Sequence, residues 1–457
     1  MLRKLYSLGW ILAVPFALVY LLYRSIRQPE YRLHWPERFG FGQPLPEGRR
    51  PIWVHAVSVG ETAAAAPLIR RLAIRYPHTF LLLTHTTPTG RATGEALFRD
   101  LAPRMRQCYL PYDLSSCTRR FLAVRRPLCG LIMETEVWPN LMHATRARKV
   151  PMAVVNARLS EKSLARGLKY RRLIVPAVEA FDVIVAQSVA DAGRIARLVG
   201  AGHRARPADA VAGNLKFDQS ILPTARLLGQ RWRSRLGARA VILAASTREG
   251  EEALILEGWR SHLDNGSLSA GPAAATTDGH SMPLLVIVPR HPNRFEAVAG
   301  LIAATMPQQR LMRRAALDQA ELDLAACDIL LGDSMGEMQS WYACADVAVM
   351  GGSLLPFGSQ NLIEANALGC PVVLGPSVFN FEQAAAESIA AGAAVQVADA
   401  QAAVTTALRI TRDGAQRDAM SQAALEFAQA HRGATERTLL ALEPFLQHSL
   451  AGEPTAQ

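Results

Sequence analysis

Short runs of apolar residues recur along the chain, separated by stretches of helical periodicity. Continuous apolar runs of this kind are typical of parallel strands buried on both faces of a sheet. The runs are IWVHAV, FLLLTH, LCGLIM, PMAVVNA and DVIVAQ in the first half, and AVILAAS, LLVIVP, DILLGD, DVAVMGG and PVVLG in the second. Because the pattern occurs twice, it predicts two doubly wound α/β domains, at residues 40–220 and 221–457. Ligands of such sheets bind outside the carboxyl ends of the strands, so we expect functional residues directly after these runs.

Two segments lack apolar periodicity. Residues 264–282 are rich in Ser, Ala, Gly and Thr, which predicts a solvent-exposed insertion before the strand LLVIVP. The tail, residues 452–457, is predicted to be frayed.

The N-terminus has the composition of a membrane anchor. The segment Leu5–Tyr23 contains no charge, and as a helix it is about 28 Å long, close to the hydrocarbon thickness of a bilayer. A cleavable signal peptide is the rival interpretation, but no small-x-small cleavage site follows the apolar run. We therefore predict an uncleaved anchor at residues 1–28. Pro15 can kink the helix, so both a spanning helix and one lying in a single leaflet stay open.

Charge on either side of the apolar segment predicts the orientation of the anchor. Two basic residues precede the segment, and four arginines follow it: Arg24, Arg27, Arg32 and Arg38. Basic residues accumulate on the cytoplasmic side of membranes, so the body of the protein is expected in the cytoplasm.

The chain as a whole is basic, with a net charge of +11. This excess is compatible with nucleic acid, an acidic membrane surface or phosphorylated substrates as partners. Biased arginine usage is the alternative, since only five of the basic residues are lysines. The net charge alone therefore identifies no partner.

Six cysteines are present, and none forms a CxxC pair. Several lie in apolar runs such as RRPLCGLIM and WYACADVAVM. This pattern predicts buried free thiols in a reducing compartment, with neither disulfides nor a structural metal.

Acidic and basic side chains follow predicted strands of the first domain. Glu61 in HAVSVGE falls in the first turn of a helix, where the helix dipole favours an ionised carboxylate that can act as a general base. The alternative is a structural role for Glu61 as a helix-capping residue. Glu134 and Glu136 in ETEVWPN follow another strand. Acidic residues at such a position are explained either by a catalytic or binding role or by a salt bridge. Lys216 in GNLKFD follows a further strand, and an ordinary surface lysine is its alternative interpretation.

Four loops at strand ends of the second domain have the composition of a nucleotide site. They are STREGEE at 246–252, PRHP at 289–292, GDSMGE at 332–337, and GGS at 351–353 with GSQNLIE at 358–364. Hydroxyls and free amides at helix starts bind phosphate, and an arginine supplies a forked cation. Each loop alone is compatible with ordinary turn chemistry, but four together predict a nucleotide-binding domain.

With these motifs, the chain resembles the Kdo (3-deoxy-D-manno-octulosonic acid) transferases of lipopolysaccharide assembly. The resemblance extends from the N-terminal anchor to about residue 385. The matching segments occur in the order HAVSVGE, TPTG, YLPYD, ETEVWPN, NARLS, GNLKFD, ASTREGEE, VPRHPNRF, GDSMGEM and GGSLLPFGSQNLIEA.

The resemblance implies a fold, a reaction and a location. It implies a glycosyltransferase-B fold, a CMP-Kdo donor, a lipid A precursor (lipid IVA) as acceptor, inversion at the anomeric carbon, and no metal or other cofactor. It also implies a place at the bacterial inner membrane, in contact with its lipids, with the body on the cytoplasmic face and no nucleic-acid partner.

Roles for individual residues also follow from the resemblance. Glu61 corresponds to the general base, and Glu134 and Lys216 to the groups that stabilise the transition state. The residues that correspond to CMP contacts are Arg290, His291, Met335, Gly336, Glu337, Asn361, Leu362, Ile363 and Glu364.

The chain departs from the family pattern at two places. It has Ser359-Gln360-Asn361-Leu362 where the family has Gly-His-Asn-Pro, and Arg248 where the family has His. Asn361 and Glu364 are retained, so we expect nucleotide binding to be kept.

Two other classes of protein are compatible with parts of the pattern. A glycosyltransferase-B enzyme that uses a UDP-sugar and a lipid acceptor shares the fold and the membrane location. A non-catalytic, membrane-tethered protein that binds polyanions explains the charge, but it does not explain four nucleotide-type loops.

Overall fold

The protein is described by a computed structural model that covers residues 2–46, 49–200, 209–265, 282–319 and 324–451. Its residues form two compact units. Unit 1 comprises Met1–Gln219 and Arg432–Gln457, and unit 2 comprises Ser220–His431. Most of the predicted insertion, at 266–281, and the tail at 452–457 lie outside the described residues.

Unit 1 is built on a seven-stranded sheet of order β3-β2-β1-β4-β5-β6-β7, in which every neighbouring pair is parallel. Its strands are β1 (Pro51–His55), β2 (Phe80–His85), β3 (Met105–Tyr109), β4 (Cys129–Met133), β5 (Met152–Ala157), β6 (Val183–Ala186) and β7 (Ala210–Val211). Its helices are α1 (Leu2–Arg27), α2 (Val59–Arg75), α3 (Pro88–Leu97), α4 (Ser115–Arg125), α5 (Pro139–Ala147), α6 (Glu161–Lys169), α7 (Arg171–Val178), α8 (Val189–Val199) and, from the end of the chain, α17 (Ala434–Leu450).

Unit 2 repeats this architecture with a parallel sheet of order β10-β11-β9-β8-β12-β13-β14. Its strands are β8 (Val241–Thr247), β9 (Leu284–Pro289), β10 (Leu311–Arg313), β11 (Ile329–Leu331), β12 (Val347–Met350), β13 (Val372–Leu374) and β14 (Ala394–Gln396). Its helices are α9 (Pro223–Leu236), α10 (Glu251–Asp264), α11 (Phe295–Thr305), α12 (Met338–Cys344), α13 (Leu362–Ala367), α14 (Glu382–Ala390), α15 (Ala400–Arg412) and α16 (Gly414–Ala430). The predicted pair of doubly wound α/β folds is thus confirmed.

The last helix differs from the predicted domain boundaries. The sequence predicted a second domain that runs to residue 457, but α17 packs in the core of unit 1. Leu442 and Leu446 are almost fully buried there, in one cluster with Ile52 of β1 and Leu68 of α2. The apolar stripe of α17 therefore completes the first core, and the chain returns to unit 1 after residue 431.

The six cysteines are free and buried, as the sequence predicted. Burial also raises the pKa of the Cys108, Cys129 and Cys344 thiols to about 12. They are therefore core residues in their neutral form.

Helix α1 packs on unit 1 along one of its faces. Near its start, Ser7 donates to Asn140 Oδ1 at 3.2 Å, and the Trp10 ring lies 5.9 Å from the ring of Tyr112. At the other end, Arg32 Nε donates to Ser25 Oγ at 2.8 Å. The side chains that are at least partly buried follow a helical stripe along one face: Arg3, Tyr6, Ser7, Trp10, Val14, Ala17, Leu18, Leu21, Arg24 and Ser25. The opposite face is apolar and exposed, since 64% of Leu12 and 76% of Phe16 are accessible.

Candidate active site

Glu61 lies in the first turn of α2, directly after strand β1. Ser58 precedes the helix in an extended conformation. The amide of Val57 donates to Glu61 Oε2 at 2.9 Å, and Ser58 Oγ donates to Oε1 at 3.4 Å. The carboxylate is therefore held by two hydrogen bonds at the carboxyl end of a central strand.

The electrostatics of Glu61 differ from the expectation of a carboxylate held ionised by its helix. Burial raises the pKa of Glu61 to about 7, and the negative charge of Glu134 adds to this rise. The Val57 amide and Lys216 act in the opposite direction but do not outweigh burial. A carboxyl group that titrates near neutral pH exchanges protons readily at that pH, as a general base requires.

Glu134 follows β4, the neighbour of β1 in the sheet, and forms an ion pair with Lys216. The Lys216 Nζ lies 2.9 Å from Glu134 Oε1, and the two side chains are only 12% and 18% exposed. Glu134 has a φ of 56°, a left-handed conformation that few non-glycine residues adopt. Such strained positions are concentrated at functional sites.

Lys216 is positioned by residues distant in sequence. It lies on a 3-10 turn, Leu215–Asp218, where the Leu215 amide donates to Asn156 Oδ1 at 3.0 Å. At the end of this turn, Asp218 accepts hydrogen bonds from the amides of Gly433 and Thr435, at the start of α17. Asn156 and Asp218 are therefore positioning residues. Sequence reasoning missed both because their partners lie far along the chain.

Unit 2 brings two arginines together. Arg290 follows β9, and its amide donates to the carbonyl of Thr247, the last residue of β8, at 2.9 Å. Burial lowers the pKa of Arg290, and the positive charge of neighbouring Arg248 lowers it further. Arg248 lies over the ring of Phe357, 4.6 Å from the ring centroid. Two like charges that repel one another in this way favour the binding of an anion near both.

Glu364 lies near Arg290 and completes this group. It is on α13, where Asn361 caps the helix by accepting from the Ile363 amide and donates to Glu364 Oε1 at 3.0 Å. Burial raises the pKa of Glu364, while Asn361 and Arg290 counteract the rise. Leu362 and Ile363 are buried in the core, so their side chains are closed to a ligand, and the Ile363 amide is already bonded to Asn361.

Two glutamates of the STREGEE loop, Glu251 and Glu252, have structural roles. Glu251 is fully buried and accepts from the amides of Arg248, Gly352 and Leu354 at 2.7 to 3.0 Å. Glu252 forms two hydrogen bonds with Arg294, at 2.7 and 2.9 Å. Glu251 thus bonds the backbone that follows β8 to the backbone that follows β12, and Glu252 binds Arg294. The two carboxylates therefore stabilise the ends of these strands in unit 2.

The Glu337 side chain also has an internal partner. Arg314 donates to both of its carboxylate oxygens, at 2.8 and 2.7 Å. Partial burial favours the protonated form, but the hydrogen bonds from Arg314 and Ser334 outweigh it, so the pKa of Glu337 lies below its usual value. Met335 is exposed, and Gly336 has a φ of 80° with open space where a Cβ would be. A ligand at this loop therefore meets backbone rather than the Glu337 carboxylate.

The predicted residues thus fall into three groups. Glu61, Glu134 and Lys216 interact with one another in unit 1, and Arg290 and Glu364 interact in unit 2. The third group is the 335–337 loop, which follows β11. His291 is exposed and is the next residue after Arg290. Among the residues that the structure describes, no group of three or more His, Cys, Asp or Glu side chains is arranged to hold a metal ion.

The fold is of the glycosyltransferase-B type, with two Rossmann-like units and an N-terminal apolar helix. A solved structure described as a putative UDP-N-acetylglucosamine 2-epimerase from Listeria monocytogenes shares this fold. It has a TM-score of 0.56 and 15% sequence identity, and the alignment covers 88% of this chain and 97% of that one.

Sequence relatives give the family. Residues 33–219 match the family described as 3-Deoxy-D-manno-octulosonic-acid transferase (kdotransferase). A 3-deoxy-D-manno-octulosonic acid transferase of Bordetella pertussis is 45% identical, with 97% of this chain and 99% of the relative aligned. The protein of the same name from Haemophilus influenzae is 32% identical, with 98% and 100% aligned. The chain belongs to the family of Kdo transferases, which are glycosyltransferases.

Proposed function

We propose that the protein transfers Kdo from CMP-Kdo to a lipid A precursor, lipid IVA, with inversion at the anomeric carbon. The observation that carries this proposal is the cluster at the carboxyl ends of β1 and β4. There, a half-buried Glu61 with a pKa of about 7 lies beside the Glu134–Lys216 ion pair. Membership of the Kdo transferase family supplies the sugar that is transferred.

In the proposed reaction, Glu61 accepts the proton of an acceptor hydroxyl. The hydroxyl oxygen forms a bond to the anomeric carbon of Kdo, while the bond from that carbon to the phosphate oxygen breaks and CMP leaves with the electron pair. Lys216 and Glu134 stabilise the charge that develops, and the ion pair keeps the lysine ammonium fixed in the site.

The nucleotide is assigned to unit 2. Arg290 and Arg248 bind the phosphate as a pair of cations, and this anion offsets the repulsion between them. Glu364, fixed by Asn361, accepts hydrogen bonds from the ribose hydroxyls. The backbone at Met335–Gly336 and at Leu362 provides the remaining contacts. We assign these contacts to backbone because Glu337 is paired with Arg314 and the Leu362 side chain is buried.

The membrane association is proposed to be monotopic, on the cytoplasmic face of the inner membrane. Helix α1 is long and apolar enough to cross a bilayer. However, Ser7 and Trp10 contact the body of unit 1, and Leu21 and Ser25 near the other end are buried. Crossing the bilayer would therefore draw polar parts of that unit into the hydrocarbon. Its exposed face, with Leu12 and Phe16, instead lies in one leaflet.

Differential stabilisation by nucleotides tests the donor assignment. We expect CMP to raise the thermal midpoint of unit 2 in a concentration-dependent manner, and UMP or UDP to have a much smaller effect. Arg290→Ala should lose most of this stabilisation, whereas the matched control Arg409→Ala, which removes an exposed arginine on α15, should keep it. Equal stabilisation by UDP would assign the protein to another glycosyltransferase-B class.

A further inference from the structure

A large apolar cavity lies beside Glu134 in unit 1. Its volume is about 470 Å³, which is within the range of small-molecule sites. Its inner wall is made of core side chains that are almost fully buried, among them Phe181, Ile184 and Leu198. Its outer wall includes Tyr170, which is 53% exposed, so the cavity reaches the protein surface.

The position of the cavity connects two features already described. Glu134, the partner of Lys216, lines it at one side. Tyr6, from the packed stripe of the membrane-associated helix α1, lines it as well. Arg158 and Arg166 contribute the basic side chains of its lining. The lining therefore suits a ligand with an apolar part, which packs among core residues, and an anionic part, which contacts the arginines. Such a ligand lies next to the Glu134–Lys216 ion pair.

We propose that this cavity binds one acyl chain of the lipid acceptor and so positions the acceptor sugar beside Glu134. The inference rests on the proposed function, because it assigns an additional subsite to the same acceptor. The arginines match the phosphates of such an acceptor, and the apolar wall matches its hydrocarbon chain.

The physical benefit of such a cavity comes from keeping the chain out of water. A chain in the bilayer is already in an apolar medium, so moving it into an apolar cavity changes its free energy little. If the chain were instead exposed to water when the sugar moves to the active site, the affinity for the acceptor would fall about four-fold for each methylene group. The cavity therefore allows the sugar to reach the site without that loss.

Filling the cavity tests the inference. Ile174→Trp adds an indole to the cavity wall from a partly buried position on α7. We expect this variant to raise KM for the tetra-acylated acceptor at least ten-fold. KM for the deacylated acceptor should stay nearly constant, so the ratio of the first KM to the second should rise by a similar factor. Ser163→Trp, introduced from an exposed position that also lines the cavity, provides a second variant in case the first one fails to fold.

Leu168→Trp is the matched control, because Leu168 is 40% exposed on α6 and does not line the cavity. Both KM values are expected to stay within two-fold of the wild-type values. An unchanged ratio in folded Ile174→Trp and Ser163→Trp would overturn the inference, and so would an equal rise in KM for the two acceptors.

A binding assay separates this inference from the proposed function. We expect cis-parinaric acid, a fluorescent fatty acid, to bind the full-length protein in detergent-free buffer. Its affinity should fall at least ten-fold in Ile174→Trp and Ser163→Trp, but not in Leu168→Trp. This result would support an acyl-chain site even if no Kdo were transferred. Equal binding to all four proteins would show that the chain binds elsewhere, for example along α1, and would refute the assignment.

Discussion

Replacing Glu61 with Gln should abolish turnover and at the same time stabilise the protein at alkaline pH. The pKa of Glu61 rises from its ordinary value of 4.5 to about 7 in the folded protein, because partial burial disfavours the charged form and the negative charge of Glu134 adds to this effect. The native state therefore holds the proton at pH values where the unfolded chain has lost it, and stability falls as pH rises from 4.5 to 7. This rise in pKa corresponds to about 3 kcal/mol at pH 8.

The glutamine side chain avoids that cost. Its amide oxygen still accepts from the Val57 amide, and it carries no charge at any pH. We therefore expect the variant to match the wild type near pH 4 and to exceed it by about 3 kcal/mol at pH 8. For a domain the size of unit 1, this is a rise in the thermal midpoint of roughly 6–12 °C.

Hydrogen exchange in the buried strand β1 measures the stability of unit 1 separately from that of unit 2. Each variant is compared with the wild type at the same pH. The control is Glu161→Gln, since Glu161 also lies in the first turn of a helix but its side chain is 63% exposed. There we expect a small loss of stability at pH 8, below about 1 kcal/mol, because a favourable charge near the helix dipole is removed.

The outcome separates the two interpretations of Glu61. If Glu61 only caps helix α2, Glu61→Gln destabilises unit 1 at pH 8, as Glu161→Gln is expected to do. Loss of stability together with near-normal turnover would refute the assignment of Glu61 as the general base. Gain of stability together with loss of turnover is the result expected for a residue whose chemistry conflicts with its burial.

Three further predictions concern other parts of the molecule. Arg290→Ala should weaken CMP binding 10- to 100-fold in calorimetry, because one charge-assisted contact to the phosphate is lost. Lys216→Met should lower kcat and move the acidic limb of the pH–rate profile above pH 7, since Lys216 counteracts the rise in the pKa of Glu61. The double change Leu12→Glu and Phe16→Glu should reduce sedimentation with anionic vesicles while CMP binding is kept, because two carboxylates then face the leaflet.

Each of these predictions has a contradicting result. Unchanged CMP affinity in Arg290→Ala would make the VPRHP segment structural. An unshifted acidic limb in Lys216→Met would mean that a group other than Glu61 controls it. For the membrane, Leu227→Glu is the control, because Leu227 is 66% exposed on α9 of unit 2. Equal vesicle binding by this control and the α1 variant would show that the exposed face of α1 is not the main contact.

The central strands of both sheets could be predicted from the sequence, but the edge strands could not. The ten apolar runs correspond to strands β1, β2, β4, β5, β6, β8, β9, β11, β12 and β13. The strands that no run predicted are the four edges, β3, β7, β10 and β14. Edge strands are covered less completely, so they have mixed burial, and three of these four have only two or three residues. A continuous apolar run is therefore a signature of central strands.

The candidate site shows the same limit at the level of single residues. Glu134 and Arg290 could be selected because each directly follows an apolar strand, and Glu61 because it lies in the first turn of the helix after one. The role of Glu251 could not, because its partners Gly352 and Leu354 lie a hundred residues away and come close only in the folded sheet. The place of α17 in unit 1 was missed for the same reason, since its amphipathic stripe does not specify which core it covers.

Product mass measures the central claim most directly. The purified full-length protein is incubated with tetra-acylated lipid A precursor and CMP-Kdo, and in parallel with UDP-sugars. We predict that the acceptor gains the mass of one or more Kdo residues only with CMP-Kdo, and that Glu61→Gln, which still binds CMP, gives no product. An acceptor whose mass is unchanged with CMP-Kdo, or which gains a sugar from a UDP donor, would contradict the account.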